Sequence, residues 1–192
     1  MTRPHVTAVT GGIGSGKSVV CRILGIMGYP VYDCDSRARE IMDHDTDIHA
    51  QLCRHIHPEA VRDGVPDRSL ISSIVFRDPE ALRRLNKIVH TRLVDDFRAW
   101  AQSQTSPRVF IESAILDACP ALWPLLDDAW EVVAPTETRI ARVMGRNGLS
   151  REQVEARIAA QGNPAWNIST RKIENSGLIP LLPQIHKLLG AG

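Results

Sequence analysis

Four glycines and a lysine stand between two apolar runs near the start of the sequence, in the segment VTAVTGGIGSGKSVVCRIL at residues 6–24. Glycine is unfavourable inside a strand or a helix, so such a cluster predicts a loop that joins two regular elements. The order of residues 11–18, GGIGSGKS, fits G-x-x-x-x-G-K-[ST], the phosphate-binding loop or P-loop. The segment therefore predicts a strand, a P-loop and a helix in an α/β fold.

Each residue type in the P-loop has a physical reason. Glycines allow backbone conformations in which successive N–H groups turn toward one anion, and the following helix adds its unpaired N-terminal N–H groups. Lys17 is expected to reach the β- and γ-phosphates of ATP, and the hydroxyl of Ser18 is expected to bind Mg²⁺. The predicted nucleotide-binding residues are Gly12, Ile13, Gly14, Ser15, Gly16, Lys17 and Ser18.

The rest of the chain alternates short apolar runs with longer amphipathic ones. Predicted strands cover His5–Thr10, Pro30–Asp33, Arg108–Glu112, Trp130–Ala134 and Lys172–Glu174. Predicted helices cover Ser18–Met27, residues 36–56 with a break near Asp45, Glu80–Gln104, Glu137–Arg146, Ser150–Ala160 and Leu181–Leu189. Ser150 and Gln153 have the spacing of a capping box. Short apolar strands separated by helices favour a parallel sheet that is covered on both faces.

Composition and charge limit the possible partners. The chain has 192 residues, of which 43% are hydrophobic and 23% charged, as is typical of one globular domain. A formal net charge of +1 gives no general attraction to nucleic acid or to an anionic membrane, and no apolar run is long enough to span a bilayer. Four scattered cysteines without a Cys-x-x-Cys pair indicate reduced thiols. We therefore expect a cytoplasmic protein with no obligate protein partner.

Two aspartates follow the second predicted strand, in the stretch PVYDCDSRARE. Asp33 lies at the carboxyl end of that strand, where open α/β sheets bind their ligands. Asp33 is therefore predicted to face the phosphate held by Lys17 and to act as the base or orienting group for a hydroxyl acceptor. Asp35 is the alternative base, although a simple N-cap of the next helix is the favoured role for Asp35.

Arginines are concentrated after the fourth predicted strand. Arg139, Arg142 and Arg146 have a spacing of three and four residues, which predicts one helical face, and Arg157 lies on the next helix. Guanidinium groups neutralise the charge that spreads over a phosphoryl group during its transfer. The set predicts the basic lid of a small-molecule kinase, and a solvated basic face is the alternative.

The sequence resembles the dephospho-CoA kinase family over nearly its whole length. The P-loop segment TGGIGSGKS has that family's form, and GYPVYDCDSRARE is similar to its G-x-x-x-x-D-A-D-x-x-A-R-E stretch, with Cys34 where alanine is usual. DRSLISSIVFRDPEALRRLNKIVH resembles its D-R-x-x-L…V-F…L-x-x-L-x-x-I-x-H block. APTETRIARVMGRNGLSREQVEARIAAQ matches the family's lid and adjoining helices, and Asn175-Ser176-Gly177 fits its late N-x-G turn.

This resemblance implies that ATP phosphorylates the ribose 3′-hydroxyl of 3′-dephospho-CoA, which gives coenzyme A and ADP. It implies a P-loop NTPase fold with a five-stranded parallel sheet flanked by helices, a helical acceptor-binding subdomain and a lid. Within one domain, the implied core is 1–35, 105–140 and 170–192, the acceptor-binding segment is 36–104, and the lid is about 141–169.

The resemblance also implies roles for individual residues. Asp33 becomes the catalytic base on the acceptor side, and Arg39 and His90 bind the acceptor. Arg142 becomes a catalytic arginine that stabilises phosphate, beside Lys17. The lid arginines are then Arg139, Arg146 and Arg157.

The chain departs from the family pattern in three places. Residues 113–117 are SAILD where the family usually has Pro-Leu-Leu-x-Glu, so a role for Asp117 carries less weight than one for glutamate would. Thr91 follows His90 where proline is usual. After Gln161, GNPAWNISTRKIEN replaces the family's basic residue and A-D-x-V-I, so no lid contacts are assigned beyond Gln161.

Three other hypotheses fit part of the pattern. Another P-loop kinase for a nucleotide or a small alcohol would share the core and differ in the acceptor pocket. A GTP-binding switch protein fits less well, because the chain has no Asn-Lys-x-Asp motif and the basic lid would be unexplained. A catalytically inactive ATP-binding protein is disfavoured by the intact Lys17, Ser18 and Asp33.

Two further features carry less weight. Cys53, His55 and His57 have no convincing fourth partner, so a zinc site is not expected there. Trp166 lies beside the predicted lid and is a minor candidate for contact with adenine or pantetheine.

Overall fold

A computed structural model describes residues 3–113, 116, 119–161 and 168–190. The strands are β1 (His5–Thr10), β2 (Val31–Asp33), β3 (Val61–Arg62), β4 (Val65–Pro66), β5 (Arg108–Glu112), β6 (Asp128–Val133) and β7 (Thr170–Glu174). The helices are α1 (Lys17–Ile26), α2 (Cys34–His44), α3 (Thr46–His55), α4 (Arg68–Arg77), α5 (Pro79–Ser103), α6 (Thr136–Asn147), α7 (Arg151–Ala160) and α8 (Leu181–Leu189). A short 3₁₀ helix covers Pro120–Leu125.

Five strands form one parallel sheet in the order β2-β5-β1-β6-β7, which confirms the predicted fold class. Strand β1 is central because it pairs with β5 on one side and with β6 on the other. Its register places Val9 opposite Glu112 of β5 and opposite Trp130 of β6. The loop that follows β1 therefore leaves the middle of the sheet at its carboxyl edge, where ligands of such sheets bind.

A single apolar cluster fixes α1 and α8 against the sheet. Val9, Trp130 and Ile173 contribute from the strands, and Leu24 and Ile185 contribute from the two helices. All five side chains are fully buried. Since each fully buried aliphatic side chain stabilises the fold by about 1.5–3 kcal/mol relative to exposure, this cluster holds α1 firmly against the sheet.

The predicted element boundaries are close to the observed ones, with two informative differences. Strand β6 begins at Asp128, two residues before the predicted Trp130, and β7 begins at Thr170 instead of Lys172. Backbone pairing sets both starts, because Thr7 pairs with Asp128 and Ala129 pairs with Thr170. Periodicity of side chains does not report such pairing at the polar end of a strand.

The sequence interpretation missed four elements, which are β3, β4, α4 and the short 3₁₀ helix. The antiparallel hairpin of β3 and β4 has only two residues in each strand, and α4 follows directly after it. Two-residue strands carry no hydrophobic periodicity, and α4 buries one side chain, that of Ile71. Gly64, at a φ of 76°, forms the turn of the hairpin, and Asp67 caps α4 by accepting from the Leu70 amide at 2.9 Å.

The chain forms two compact units. The first consists of Met1–Tyr32 and Gln104–Gly192 and contains the sheet, and the second consists of Asp33–Ser103. In the second unit, α2, α3 and α4 all pack on the long helix α5. Apolar side chains such as Ile48, Leu52 and Leu93 are completely buried there.

All four cysteines are thiols and not disulfides, as the sequence predicts, and burial raises the pKa of the Cys119 thiol. Among the helices of the described residues, none combines the length and the apolar character needed to cross a lipid bilayer.

Candidate functional site

The P-loop of the first unit has the backbone that its glycines predict. Gly11, Gly14 and Gly16 adopt φ values of 141°, 75° and 97°, a region that other residues rarely enter. Space is restricted as well as conformation, because a Cβ on Gly11 would lie 2.3 Å from the carbonyl oxygen of Val132. Alanine at this position would therefore displace either the loop or the end of β6.

The P-loop lysine lies over its own loop. The Nζ of Lys17 donates to the carbonyl oxygen of Gly11 at 2.9 Å and to that of Gly12 at 3.4 Å. Ser18 follows in the first turn of α1 and is exposed. The N-cap of α1 is Gly16, which has no side chain to cap the first amides, and the first turn has no acidic residue. The positive end of this helix is therefore suited to an anion.

Two arginines of α6 hold the outer carbonyl groups of the loop. Arg139 Nε donates to the carbonyl oxygen of Ile13 at 2.9 Å. Arg142 Nη1 lies 3.4 Å from the carbonyl oxygen of Ser15 and 3.5 Å from that of Gly14. Neither guanidinium has a carboxylate partner within the described part of the chain. Burial lowers the pKa of Arg139. Because the carbonyl groups that they contact are neutral, both guanidinium groups keep their positive charge beside the P-loop.

Ile13 fastens the P-loop to α6 and α7. Its side chain packs on the small buried cluster of Ile140, Val143 and Val154. Its backbone N–H donates at 2.7 Å to Oε1 of Gln161, which is the C-cap of α7. The start of α7 is fixed by the capping box of Ser150 and Gln153, so that prediction is confirmed.

The other two predicted lid arginines lie away from the loop in this structure. Arg146 is exposed, and its Nε donates to the Asn147 side chain at 2.9 Å. Arg157 is exposed on α7. The predicted face of α6 therefore splits, because only Arg139 and Arg142 contact the P-loop. Arg146 lies in the last turn of α6, which ends at Gly148 with a φ of 64°.

Three residues that the sequence interpretation left without a role lie at this edge. Gln161 and Asn175 both hydrogen-bond to the P-loop backbone. Glu112 is the last residue of β5, opposite Val9 of β1. The sequence does contain a pattern from which Glu112 could have been found, because it is an acidic residue at the end of an apolar strand that lies beside the P-loop strand. Neither amide residue has such a local pattern, because its partner is more than a hundred residues away in the chain.

The P-loop passes a simple test of fit to a nucleotide phosphate. Its glycines form a cradle that Cβ atoms would fill. The Ser15 hydroxyl is buried and has no hydrogen-bond partner within the described residues, so it can donate to a phosphate oxygen. No group of three or more His, Cys, Asp or Glu side chains within the described residues is arranged to bind a metal. The exposed Ser18 hydroxyl, in the first turn of α1, is an oxygen atom of the kind that hard divalent cations bind.

In the second unit, Asp33 is the N-cap of α2. Its Oδ1 accepts from the backbone N–H groups of Asp35 at 3.0 Å and Ser36 at 3.3 Å, and its Oδ2 accepts from the Ser36 hydroxyl at 2.6 Å. The expectation that Asp35 rather than Asp33 caps this helix is therefore wrong. Asp35 lies in the first turn, because α2 begins immediately at Cys34, with no intervening loop residues.

The two predicted acceptor residues also lie in the second unit. Arg39 is exposed on α2, and His90 is half-buried on α5. Neither lines the groove of about 550 Å³ that runs between α3 and α5. That groove is lined by polar side chains that include Gln51, Lys87 and Thr91.

Most other arginines of the second unit are paired with acids. Arg37 donates to both carboxylate oxygens of Asp96, at 2.6 and 3.0 Å. Arg92 Nε donates to Asp45 at 2.6 Å, and Asp45 is also the N-cap of α3. Burial raises the pKa of the Asp45 carboxyl, but hydrogen bonds from Arg92 and from backbone N–H groups outweigh it, so the pKa is below its ordinary value.

Three sequence hypotheses concern residues outside this site. Cys53, His55 and His57 form no metal-binding group within the part of the chain described. Asp117 and Trp166 lie outside the described residues.

Comparison with known proteins covers both units. The family model described as Dephospho-CoA kinase matches residues 5–179. A dephospho-CoA kinase of Porphyromonas gingivalis is 38% identical over 153 residues, which cover 80% of this chain and 75% of that protein. A dephospho-CoA kinase of Bacteroides fragilis is 33% identical over 184 residues, which cover 94% of this chain and 89% of that protein.

One solved structure agrees closely in fold. The crystal structure of TT1252 from Thermus thermophilus has a TM-score of 0.83 at 35% identity and covers 99% of this chain and 98% of that one. The matched family span includes the P-loop, the helices of the second unit, and α6 and α7.

Proposed function

Because this chain belongs to the dephospho-CoA kinase family, we propose that it transfers the γ-phosphoryl group of ATP to the ribose 3′-hydroxyl of 3′-dephospho-CoA. The products are coenzyme A and ADP, and this is the last step of coenzyme A biosynthesis. The observation that carries the proposal is the P-loop with Lys17, Arg139 and Arg142 on its carbonyl groups, in a chain whose residues 5–179 match the family. A P-loop alone would not identify the acceptor.

The P-loop residues Gly12–Ser18 bind the phosphates of ATP. Backbone N–H groups and the N-terminus of α1 hold the β-phosphate, and Lys17 moves from the loop carbonyls to the β- and γ-phosphates when ATP binds. Arg142 supplies positive charge to the phosphoryl oxygens during transfer. A guanidinium that is held by neutral carbonyls keeps its full charge for the ligand, whereas a carboxylate partner would cancel that charge.

Asp33 is the general base. Its carboxylate accepts the proton of the ribose 3′-hydroxyl as the oxygen attacks the γ-phosphorus, and ADP leaves with the bridging oxygen. The contacts of Asp33 support this role, because two backbone N–H groups and the Ser36 hydroxyl fix its orientation at the start of α2. A fixed carboxylate loses little freedom on binding the acceptor.

Mg²⁺ is the proposed metal cofactor. The Ser18 hydroxyl would hold it beside the phosphates, and Glu112 at the end of β5 would orient its water ligands. When bound, Mg²⁺ neutralises charge on the β- and γ-phosphate oxygens.

The acceptor is bound by the segment 36–104, with Arg39 and His90 as its proposed contacts. Residues of about 141–169 act as a lid that excludes water, because water would otherwise take the phosphoryl group. Arg139, Arg146 and Arg157 are the lid arginines in this proposal. The remaining core is 1–35, 105–140 and 170–192. We place the enzyme in the cytoplasm, without nucleic acid, membrane or obligate protein partners.

A coupled assay of ADP release tests the proposal. Purified chain, Mg·ATP and dephospho-CoA should give ADP and coenzyme A in equal amounts, with adenosine and pantetheine as poor acceptors. Replacement of ATP by GTP should lower kcat/KM strongly. Activity on another alcohol, with none on dephospho-CoA, would indicate a different P-loop kinase. Preference for GTP without transfer would indicate a switch protein.

A further inference from the structure

Asn175 is a buried polar residue that the proposed reaction does not use. It is the first residue after β7, and only 9% of its surface is exposed. Its backbone N–H donates at 2.8 Å to the carbonyl oxygen of Val133, the last residue of β6. The main chain of Asn175 therefore continues the pairing of the two strands and holds its side chain in one place.

The side chain of Asn175 reaches the P-loop. Its Nδ2 donates to the carbonyl oxygen of Ser15 at 2.8 Å, across 160 residues of sequence. Its Oδ1 lies 3.5 Å from Nη2 of Arg142, at the outer limit of a hydrogen bond. The packing is tight, because a Cβ on Gly16 would lie 2.1 Å from Asn175 Nδ2. The amide therefore lies directly against the peptide that joins Ser15 and Gly16.

That peptide contains one donor and one acceptor that point in opposite directions. The Ser15 carbonyl and the Gly16 N–H belong to the same planar trans unit. When Asn175 and Arg142 hold the carbonyl on the outer side, the Gly16 N–H must point to the opposite side of the loop. Gly16 itself has a φ of 97°, and because glycine enters both positive and negative φ readily, its residue type permits this conformation but does not by itself fix the plane of the preceding peptide. A contact from outside the loop that fixes the plane of this peptide therefore also fixes the direction of the Gly16 N–H, which can donate to a phosphate.

We propose that Asn175 is a positioning residue, which turns the Gly16 N–H toward the β-phosphate by holding the Ser15 carbonyl. This inference rests on the proposed function only in taking the P-loop as the nucleotide site. It gives the Asn175-Ser176-Gly177 turn a role in the first unit: the end of β7 sets the geometry of a loop that follows β1.

Asparagine suits this position better than its nearest replacements. It donates to the Ser15 carbonyl and, at the same time, offers an oxygen to the Arg142 guanidinium. Aspartate has the same shape and keeps the acceptor, but it has no donor for the carbonyl and adds negative charge. Alanine leaves the carbonyl of buried Ser15 with only the 3.4 Å contact of Arg142.

The chain offers a matched control at the same strand end. Gln184 of α8 donates through Nε2 to the carbonyl oxygen of Glu174 and accepts through Oε1 from the Glu174 N–H, both at 2.9 Å. It holds the last residue of β7 with two hydrogen bonds, and neither of them involves the P-loop. Gln184→Ala therefore loosens the strand end without removing the donor of the Ser15 carbonyl.

The test compares Asn175→Ala, Asn175→Asp and Gln184→Ala with the unchanged chain. The dissociation constant of ADP is measured by calorimetry, the melting temperature by circular dichroism, and KM for dephospho-CoA by the coupled assay. Both Asn175 variants should bind ADP roughly tenfold more weakly, because the charge-assisted hydrogen bond from the Gly16 N–H to the β-phosphate is lost. KM for dephospho-CoA should stay within about twofold, and Gln184→Ala should lower the melting temperature while ADP binding stays within about twofold.

Each other result overturns the inference. ADP affinity within about twofold of the unchanged chain in Asn175→Ala shows that the contact does not matter, and loss in Asn175→Asp alone shows an effect of added charge. An equal loss in Gln184→Ala shows that Asn175 acts only through the strand. If Asn175→Ala does not fold, the neutral and nearly isosteric Asn175→Leu, which has no donor for the Ser15 carbonyl, decides by retaining ADP affinity or losing it. Should the unchanged chain bind ADP without phosphorylating dephospho-CoA, the proposed function fails and this comparison still stands.

Discussion

The two arginines at the P-loop and most arginines of the second unit have different partners, and we interpret the difference as one between ligand binding and structure. At the P-loop of the first unit, Arg139 and Arg142 donate to neutral backbone carbonyls and have no carboxylate partner within the described residues. In the second unit, Arg37 and Arg92 donate to Asp96 and Asp45 at 2.6 Å. A carboxylate cancels most of the field of a guanidinium, whereas a carbonyl orients the group and leaves its charge available. The partner of an arginine therefore indicates its role better than its position in the sequence does.

The charge at the P-loop is also local. The whole chain has a formal net charge of +1, so no long-range field concentrates anions around it. Positive charge from Lys17, Arg139, Arg142 and the start of α1 is instead concentrated at one short loop, where we propose that the phosphates bind. We expect substitutions in this group to affect nucleotide chemistry, and substitutions of carboxylate-paired arginines to affect stability.

The largest expected effect is that of Lys17→Ala. Because we propose that Lys17 contacts the β- and γ-phosphates, we expect kcat to fall about 1,000-fold or more in the coupled assay. Lys187→Ala, which removes an exposed lysine of α8, serves as the control and should retain activity within about twofold. Equal activity of the two variants would contradict the proposed phosphate site.

Asp33→Asn separates the base from the helix cap. Asparagine caps helices as well as aspartate does, so the melting temperature should change little, but it cannot accept the proton. We expect kcat to fall on the order of 100- to 1,000-fold, with the affinity for ATP nearly unchanged. Asp45→Asn is the matched control, because Asp45 caps α3 through the same two backbone contacts. A similar loss of turnover in both variants would mean that Asp33 acts only through the structure of its unit.

Arg142→Ala and Arg151→Ala test the comparison within one pair of helices. Arg142 contacts the P-loop, whereas Arg151 of α7 pairs with Glu137 at 2.7 Å and Glu155 at 2.8 Å, and both acids raise its pKa. We expect kcat to fall about 30- to 100-fold in Arg142→Ala, because charge at the transferred phosphoryl group is lost. Arg151→Ala should keep turnover within about threefold. The reverse order of effects would break the rule that the partner of an arginine reveals its role.

The smallest expected effect is that of Arg92→Ala, which removes the guanidinium beside Asp45. We expect a loss of about 1 kcal/mol in the free energy of unfolding at pH 7, measured with urea, and unchanged kcat. The pKa of Asp45 is lowered in the folded chain, so its stabilising contribution is present above its ordinary pKa of about 4 and is lost as pH falls through the lower folded value. The difference between the two proteins should therefore shrink below about pH 4. A difference that grows in acid would mean that Arg92 does not stabilise the ionised carboxylate.

Local patterns predicted the elements that depend on local physics. The left-handed φ values at Gly14 and Gly16 follow from residue type and spacing. Helix α5 was predicted at Glu80–Gln104 and observed at Pro79–Ser103, because a long apolar stripe specifies a helix on its own. By contrast, the pattern did not distinguish Asp33 from Asp35 as the cap of α2, since both are good N-cap residues two positions apart. The hairpin of β3 and β4 was too short for any periodicity to appear.

The order of residues along the chain was enough to specify a phosphate-binding loop between a strand and a helix, because glycine conformation and helix polarity act within a few residues. It was also enough to place the chain in one enzyme family. Which arginines lie on that loop, and which distant amides hold its peptides, was decided only when β6, β7, α6 and α7 packed beside it. Those contacts join residues more than a hundred positions apart in the chain, whereas local sequence patterns relate only residues within a few positions of one another.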